Sequence, residues 1–195
     1  MAERGLAVPP ALRAILFDPL GYLHPRRLRL PPALIGPGQR AAVNDLLIAG
    51  YRLDTDWPAT ASLDAGPWLR HWRRLPQIAY LMGCHAKRAA LGWQGGLLRL
   101  PDWARPFAAL PLPSDAAAPG APLSHRCLLR AGYGQLLAWG GDMPPALRQR
   151  LPLLFPPELD VEAAAAAATV PDPLLLTLAI QYAQRHPHTP PAGSL

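Results

Sequence analysis

Asp54 and Asp56 are the first side chains in this sequence whose type and spacing could support catalysis. Two carboxylates can act as a general acid and base, or can bind a divalent cation. In an extended segment, residues two apart project to the same face, which would bring these carboxylates together. No third acidic residue, histidine or glycine-rich loop lies nearby, and aspartate readily bonds to local backbone N–H groups. A small Asp-dependent hydrolase stays open, but a structural or partner-binding role fits the pair better.

Cysteine and histidine occur together at two points, as Cys84 beside His85 and as His125 and Cys127 with one residue between them. Structural zinc sites normally take their ligands from pairs with two to five intervening residues. Adjacent residues on a helix point about 100° apart, so Cys84 and His85 are poorly placed to share one ion. Buried reduced cysteines are ordinary in protein cores. We therefore expect no metal ion and no other cofactor.

A third group combines two tryptophans, Trp68 and Trp72, with the arginines Arg70, Arg73 and Arg74. Such residues could stack on bases or grip phosphates. On a helix, the two tryptophans would share a face and pack inward, which leaves the arginines as a solvated rim. Nucleic-acid binding usually shows a wider basic stripe or a recognisable module. The cluster fits an acidic protein partner better, and a basic nucleic-acid-binding accessory protein is the alternative.

The composition favours a small protein that works through contact surfaces. The chain has 195 residues and a net charge of +6, and its basic residues are arginines except for Lys87. Arginine suits protein interfaces because its planar fork binds carboxylates and stacks on aromatic rings, although a GC-rich genome produces the same bias. The sequence has no Walker, G-x-G-x-x-G or G-x-S-x-G motif, so we do not expect an enzyme. With two cysteines, no signal peptide and no long apolar run, we expect a cytoplasmic protein.

Apolar residues at helical spacing predict a mainly α fold built from many short helices. The predicted helices cover residues 9–16, 39–48, 75–92, 101–110, 124–139, 144–154 and 173–185, with a further one that starts at Pro157 and includes six alanines. Many of the 26 prolines fall between these segments, Ser124 is a predicted N-cap, and Asp172 with Pro173 opens the last helix. We predict a single compact domain over residues 1–188, with a flexible loop at 109–122 and a frayed tail at 189–195. A minor β element near residues 50–57 is compatible with weak alternation there.

Two blocks near the N-terminus carry a family resemblance. The first, residues 17–24, runs from Phe17 and Pro19 to Tyr22-Leu23-His24, and the second, residues 44–57, ends in Leu53-Asp54-Thr55-Asp56-Trp57. Each block sets apolar anchors beside a small set of polar groups, which suits docking better than chemistry. In this order the blocks resemble the SctK family (YscK/PscK/OrgA-like), the accessory subunit of the type III secretion (injectisome) sorting platform. A looser resemblance continues through residues 75–91 and 136–154.

The resemblance implies a non-enzymatic scaffold adaptor at the cytoplasmic face of the bacterial inner membrane. Members of that family join the cytoplasmic domain of the ring protein SctD to the pod protein SctQ, and through it to the stator SctL and the ATPase SctN. They are needed for assembly and for protein secretion, and hence for virulence. The resemblance implies no catalytic residue, no nucleic acid, and contact with the membrane through proteins only.

An adaptor needs separate contact surfaces, and clustered aromatic and arginine residues are the types enriched at interface hot spots. One predicted surface contains Tyr22, His24, Arg26 and Arg27, and a second contains Arg70, Arg73 and Arg74. Asp54 and Asp56 are further candidate interface residues. The alternative to an interface role for Tyr22 is that its side chain packs in the core.

Overall fold

The computed structural model describes residues 9–34, 36–57, 66–112, 123–160 and 172–191, and the regular structure in these ranges is helical. No β-strand occurs among these residues, which confirms the predicted mainly α fold. Within the same ranges, none of the helices combines the length and the apolarity that a membrane-spanning segment requires.

The helices are short and follow one another closely along the chain. They are α1 (Pro10–Phe17), α2 (Pro37–Gly50), α3 (Gly66–His71), α4 (Leu75–Ala86), α5 (Arg88–Leu91), α6 (Gly96–Arg99), α7 (Arg105–Ala108), α8 (His125–Trp139), α9 (Pro145–Arg150) and α10 (Pro173–Arg185). Proline stands in the first turn of α1, α2, α4, α7, α9 and α10, where its missing N–H removes no helical hydrogen bond. Short 3-10 turns lie at Pro19–Gly21, Pro32–Leu34, Trp72–Arg74, Trp93–Gly95, Gly140–Asp142, Leu151–Leu154 and Pro157–Leu159.

The predicted helix starts are confirmed at two caps. Ser124 Oγ accepts a hydrogen bond from the Cys127 N–H at 3.2 Å, at the start of α8. Asp172 Oδ1 accepts from the N–H groups of Leu174 and Leu175 at 2.9 and 3.2 Å, at the start of α10. These side chains satisfy donors that have no partner within the helix itself.

The helix predicted over residues 75–92 is interrupted at Lys87, which separates α4 from α5. The backbone of Lys87 (φ −101°, ψ 14°) leaves the α-helical region, so the hydrogen-bond ladder changes there. The helix predicted over 101–110 is shorter, since only α7 is α-helical within it. Most of the loop predicted at 109–122, and all of the alanine run at 163–168, lie outside the described residues.

The possible β element at residues 50–57 is not formed. Gly50 ends α2, and the Leu53 N–H bonds back to Ile48 O at 2.9 Å, which closes the helix end. The Asp54 N–H donates to the side chain of Gln149 at 2.7 Å. Backbone groups that a strand would pair with a neighbouring strand are therefore used by a helix terminus and a side chain.

The chain divides into two compact units. The first unit combines Met1–Arg73 with Asp142–Asp160, and the second combines Arg74–Gly141 with Val161–Leu195. The single domain predicted over residues 1–188 stays a prediction. In the first unit, α1 packs against α2, α3 and α9 around a core that includes Leu12, Leu16 and Phe155.

The second unit is built on α4, which packs most extensively against α8 and also against α7 and α10. Helix α4 is buried from Gln77 through His85. The crossing with α8 is close because Gly83 and Gly132 carry no side chain. A Cβ on Gly83 would lie 1.8 Å from Leu128 O, and one on Gly132 would lie 1.6 Å from Ala79 O. Glycine at these two positions lets the helix backbones touch directly.

Candidate protein-interaction surface in the first unit

The two sequence blocks meet at the side chains of Asp18 and Asn44. Asn44 Nδ2 donates to Asp18 Oδ1 at 2.8 Å, and Asn44 Oδ1 accepts from the Leu20 N–H at 3.0 Å. Arg40 Nη2 donates to the two Asp18 oxygens at 2.8 and 3.0 Å. We call Asp18, Arg40 and Asn44 the Asp18 cluster. Within α2, whose residues are all described, Asn44 is the only buried one, so a polar contact holds this helix to the first block.

A second connection between the blocks is the buried guanidinium of Arg150 on α9, which is 0% exposed. Its Nη2 donates to Leu16 O at 2.9 Å, and its Nη1 donates to Asp54 O at 2.6 Å and to Ala146 O at 2.9 Å. Burial lowers the pKa of Arg150, because desolvation disfavours the charged form. One charged side chain thus binds the end of α1, the second block and α9 at once.

Tyr22 is a packing residue of the first unit. Its ring lies edge-on to the ring of Trp72, with 5.6 Å between centroids and 90° between planes, and its hydroxyl donates to Ile15 O at 2.9 Å. Burial raises the pKa of Tyr22, so the hydroxyl stays protonated. These contacts correspond to the core-packing alternative; a role for Tyr22 in an interface stays a prediction.

The segment that follows α9 forms hydrogen bonds and ion pairs with three residues at the end of the first block and just after it, namely His24, Arg26 and Arg27. The His24 N–H donates to Leu153 O at 2.8 Å, and Arg27 Nε donates to Phe155 O at 2.7 Å. Arg27 also forms a bidentate ion pair with Asp160 at 2.5 and 2.8 Å, and its side chain is only 4% exposed. Burial lowers the pKa of the half-buried His24, and the positive charges of Arg26 and Arg27 lower it further.

Arg26 is the member of this group that presents most side chain to solvent. It pairs with Glu158 at 3.4 Å, and both side chains are about two-fifths exposed. Exposed pairs of this kind contribute little to stability, typically about 0–1 kcal/mol. Exchanging the Glu158 ion pair of Arg26 for another partner would therefore cost little stability, whereas breaking the ion pair of the buried Arg27 side chain would cost more.

Asp54 and Asp56 form a local turn. Asp54 Oδ1 accepts from the Asp56 N–H at 2.9 Å, while both residues remain exposed. This is the turn-capping role considered from the sequence.

Arg70 and Arg73 are exposed, and Arg74 is half-buried at the start of the second unit. A Cβ on Gly21 would lie 2.7 Å from Asp18 Oδ2 and 3.2 Å from Arg73 Nη2, so both charged groups crowd this glycine. Trp72 packs on Tyr22, and Arg73 lies near Gly21 and Asp18, so one residue of each predicted surface lies close to the Asp18 cluster. The sequence had assigned them to separate surfaces.

The cysteines and histidines considered for zinc lie in the second unit. Tyr80 Oη and His125 Nδ1 are 2.7 Å apart, and burial raises the pKa of the Cys84 thiol to about 12. Cys127 Sγ accepts from Ser124 Oγ at 3.3 Å. Among the residues that the structure describes, no three His, Cys, Asp or Glu side chains are grouped closely enough to hold a metal ion.

Sequence reasoning did not single out Asp18, Arg40, Asn44 or Arg150. Asp18 and Asn44 lie inside the two blocks, which was the available signal, because the spacing of apolar residues in α2 does not place Asn44 on its inward side. Arg150 carries no such signal, because it is one arginine among many and its partners are backbone carbonyls.

The model of one protein family, described as bacterial type III secretion apparatus protein (OrgA_MxiK), matches residues 12–185. The chain belongs to this family. The matched range contains both blocks, the Asp18 cluster and Arg150. The resemblance to SctK proteins is thereby confirmed, since OrgA and MxiK are both SctK-family type III secretion proteins.

Individual relatives agree with this assignment. The chain is 46% identical over 187 residues to the oxygen-regulated invasion protein OrgA of Salmonella typhimurium, covering 95% of this chain and 92% of that protein. It is 26% identical over 151 residues to protein MxiK of Shigella flexneri, covering 74% of this chain and 73% of MxiK. No solved structure matches the chain.

Proposed function

We propose that this OrgA/MxiK-family protein is a non-enzymatic adaptor of the type III secretion sorting platform. In this role it lies at the cytoplasmic face of the inner membrane and links the cytoplasmic domain of SctD to SctQ, and thereby to SctL and SctN. The observation that carries the proposal is that the two blocks are joined to each other through the Asp18 cluster and Arg150.

The side chains considered for catalysis or metal binding make contacts that also support an adaptor role. The Asp54 carboxylate caps a turn, the Cys84 thiol is buried, and His125 bonds to Tyr80. Each of these side chains thus makes a contact within the protein or lies in its core.

The exposed residues of the first unit are of the kind that protein interfaces use. Phe17 is 48% exposed, Leu46 71% and Tyr51 44%, and Arg70 and Arg73 are exposed as well. Aromatic and arginine side chains contribute disproportionately to binding when a partner covers them. We propose that these residues belong to the surface that contacts the ring or the pod protein.

The test is co-purification of the full chain with SctQ and with the cytoplasmic domain of SctD, together with a secretion assay. We expect wild type to capture both proteins, and the charge-reversed pair Arg70→Glu with Arg73→Glu to lose one of them. Arg13→Glu with Arg29→Glu is the matched control, since Arg13 and Arg29 are exposed arginines of the same unit. Failure of wild type to capture either protein, with secretion intact after deletion of the gene, would overturn the proposal.

A further inference from the structure

The segment from the turn after α5 through α6 in the second unit exposes two large apolar side chains. Trp93 is 62% exposed and Leu98 is 73% exposed. The chain has six tryptophans, all of them among the described residues, and the other five are buried or half-buried. A tryptophan left in water forgoes the large gain in free energy that its burial would bring.

The backbone presents these side chains in a defined geometry. Gly95 adopts a left-handed conformation (φ 72°), which a side chain would strain. A Cβ on Gly96 would lie 2.8 Å from Leu91 O, so the turn folds tightly onto the end of α5. A turn that is already ordered loses little conformational entropy when a partner binds.

The charge around this turn is positive. Arg99 directly follows Leu98 and is exposed. Among the described residues of the second unit, the only acidic side chains are Asp102 and Asp172, and each has a partner within the unit. Asp102 pairs with Arg105, and Asp172 caps α10. An acidic partner would therefore be attracted to the basic residues of this unit, Arg99 among them.

We infer that Trp93, Leu98 and Arg99, which we call the Trp93 turn, dock an acidic amphipathic helix of a protein partner. The apolar face of that helix covers Trp93 and Leu98, and one of its carboxylates pairs with Arg99. The inference rests on the proposed function, because the partner is taken to be a component of the sorting platform. It adds to that function the chemical character of the partner segment and a set of contact residues in the second unit.

A pair of synthetic helical peptides provides the probe. Both have the same apolar face, and the polar face carries glutamates in one and lysines in the other. We expect the full chain to bind the glutamate peptide about tenfold more tightly than the lysine peptide at near-physiological salt. Trp93→Ala and Leu98→Ala should each weaken that binding about tenfold, the size of a hot-spot contact.

Matched controls separate the Trp93 turn from general surface effects. Leu174→Ala removes another exposed leucine of the second unit (53% exposed) and should leave the affinity unchanged. Arg126→Glu reverses another exposed arginine of that unit and should weaken binding less than Arg99→Glu does. Equal affinity for the two peptides, or unchanged binding after Trp93→Ala, would overturn the inference. Duplex DNA that displaces the glutamate peptide and binds more tightly would also overturn it, in favour of a nucleic-acid site.

Co-purification distinguishes failure of this inference from failure of the proposed function. If wild type captures neither SctQ nor SctD, the proposed function fails. If wild type captures both and Trp93→Ala with Leu98→Ala captures both equally well, only the Trp93 turn is overturned. Loss of one partner from this variant, with its far-UV circular dichroism unchanged, supports the inference.

Discussion

Each of the two units is stabilised internally by a different kind of contact. In the first unit, the buried guanidinium of Arg150 and the buried amide of Asn44 join segments that lie far apart in sequence. In the second unit, α4 and α8 touch backbone to backbone because Gly83 and Gly132 have no side chain. The first unit therefore depends on hydrogen bonds that only particular side chains can make, and the second depends on the absence of side chains. Replacing buried polar side chains should therefore lower the stability of the first unit most. Adding side-chain volume between the helices should lower the stability of the second unit most.

The largest expected effect is that of Gly132→Ala. The added Cβ would lie 1.6 Å from Ala79 O and 2.8 Å from Gly83 N, and both are backbone atoms that move only if α4 moves. We expect a loss of about 4 kcal/mol or more in the free energy of unfolding, measured by urea denaturation. Gly38→Ala, on α2 with nothing within 4 Å of the new Cβ, should be neutral or more stable by up to about 1 kcal/mol. A Gly132→Ala protein as stable as wild type would refute the close-contact account of α4 and α8.

Arg150→Ala tests the polar connections of the first unit. The substitution removes three hydrogen bonds to backbone carbonyls, two of them buried, which should cost about 3 kcal/mol. Hydrogen exchange should show lost protection in α1 and α9 while α4 and α8 stay protected. Arg148→Ala, at an exposed position of the same helix, should change stability by less than about 1 kcal/mol. Equal loss of protection in both units would contradict the comparison.

Acidification should destabilise the second unit through two buried histidines. Burial lowers the pKa of His125 and, together with the charge of Arg88, that of His85. Between these lowered values and the unfolded pKa of about 6.5, the unfolded chain binds more protons than the folded one. The stabilising contribution is therefore complete above about pH 6.5 and declines as the pH falls toward the folded pKa values. Denaturation of wild type and of His125→Leu between pH 7.5 and 5 checks this; stability that rose on acidification, or an identical slope in the variant, would contradict it.

The smallest expected effect is a gain in stability from Arg52→Gly. Arg52 follows α2 with φ at 52°, a left-handed conformation that costs a non-glycine residue free energy. We expect glycine to stabilise the first unit by about 0.5–1 kcal/mol in thermal or urea unfolding. Arg52→Ala should bring no such gain, because alanine is strained in the same way. If both variants gained equally, backbone strain at this position would not be the cause.

Several helices could be predicted from local sequence patterns. The spacing of apolar residues and the positions of proline predicted α1, α2, α8 and α10, and Ser124 and Asp172 cap helices as expected. The interruption at Lys87 was missed, because the apolar pattern continues across it. Trp93 also escaped notice, since a tryptophan near predicted helices is normally buried and nothing local distinguishes an exposed one.

Local sequence determined where several helices begin, the mainly α fold and, through the two N-terminal blocks, the family. Only the tertiary structure decided that Asn44 reaches Asp18, that Arg150 gathers carbonyls from three segments, and that Gly83 and Gly132 face each other. Capping and helical periodicity involve residues within a few positions of one another, so a linear pattern contains them. Hydrogen bonds and close approaches between distant segments depend on how the helices pack, which no single segment encodes.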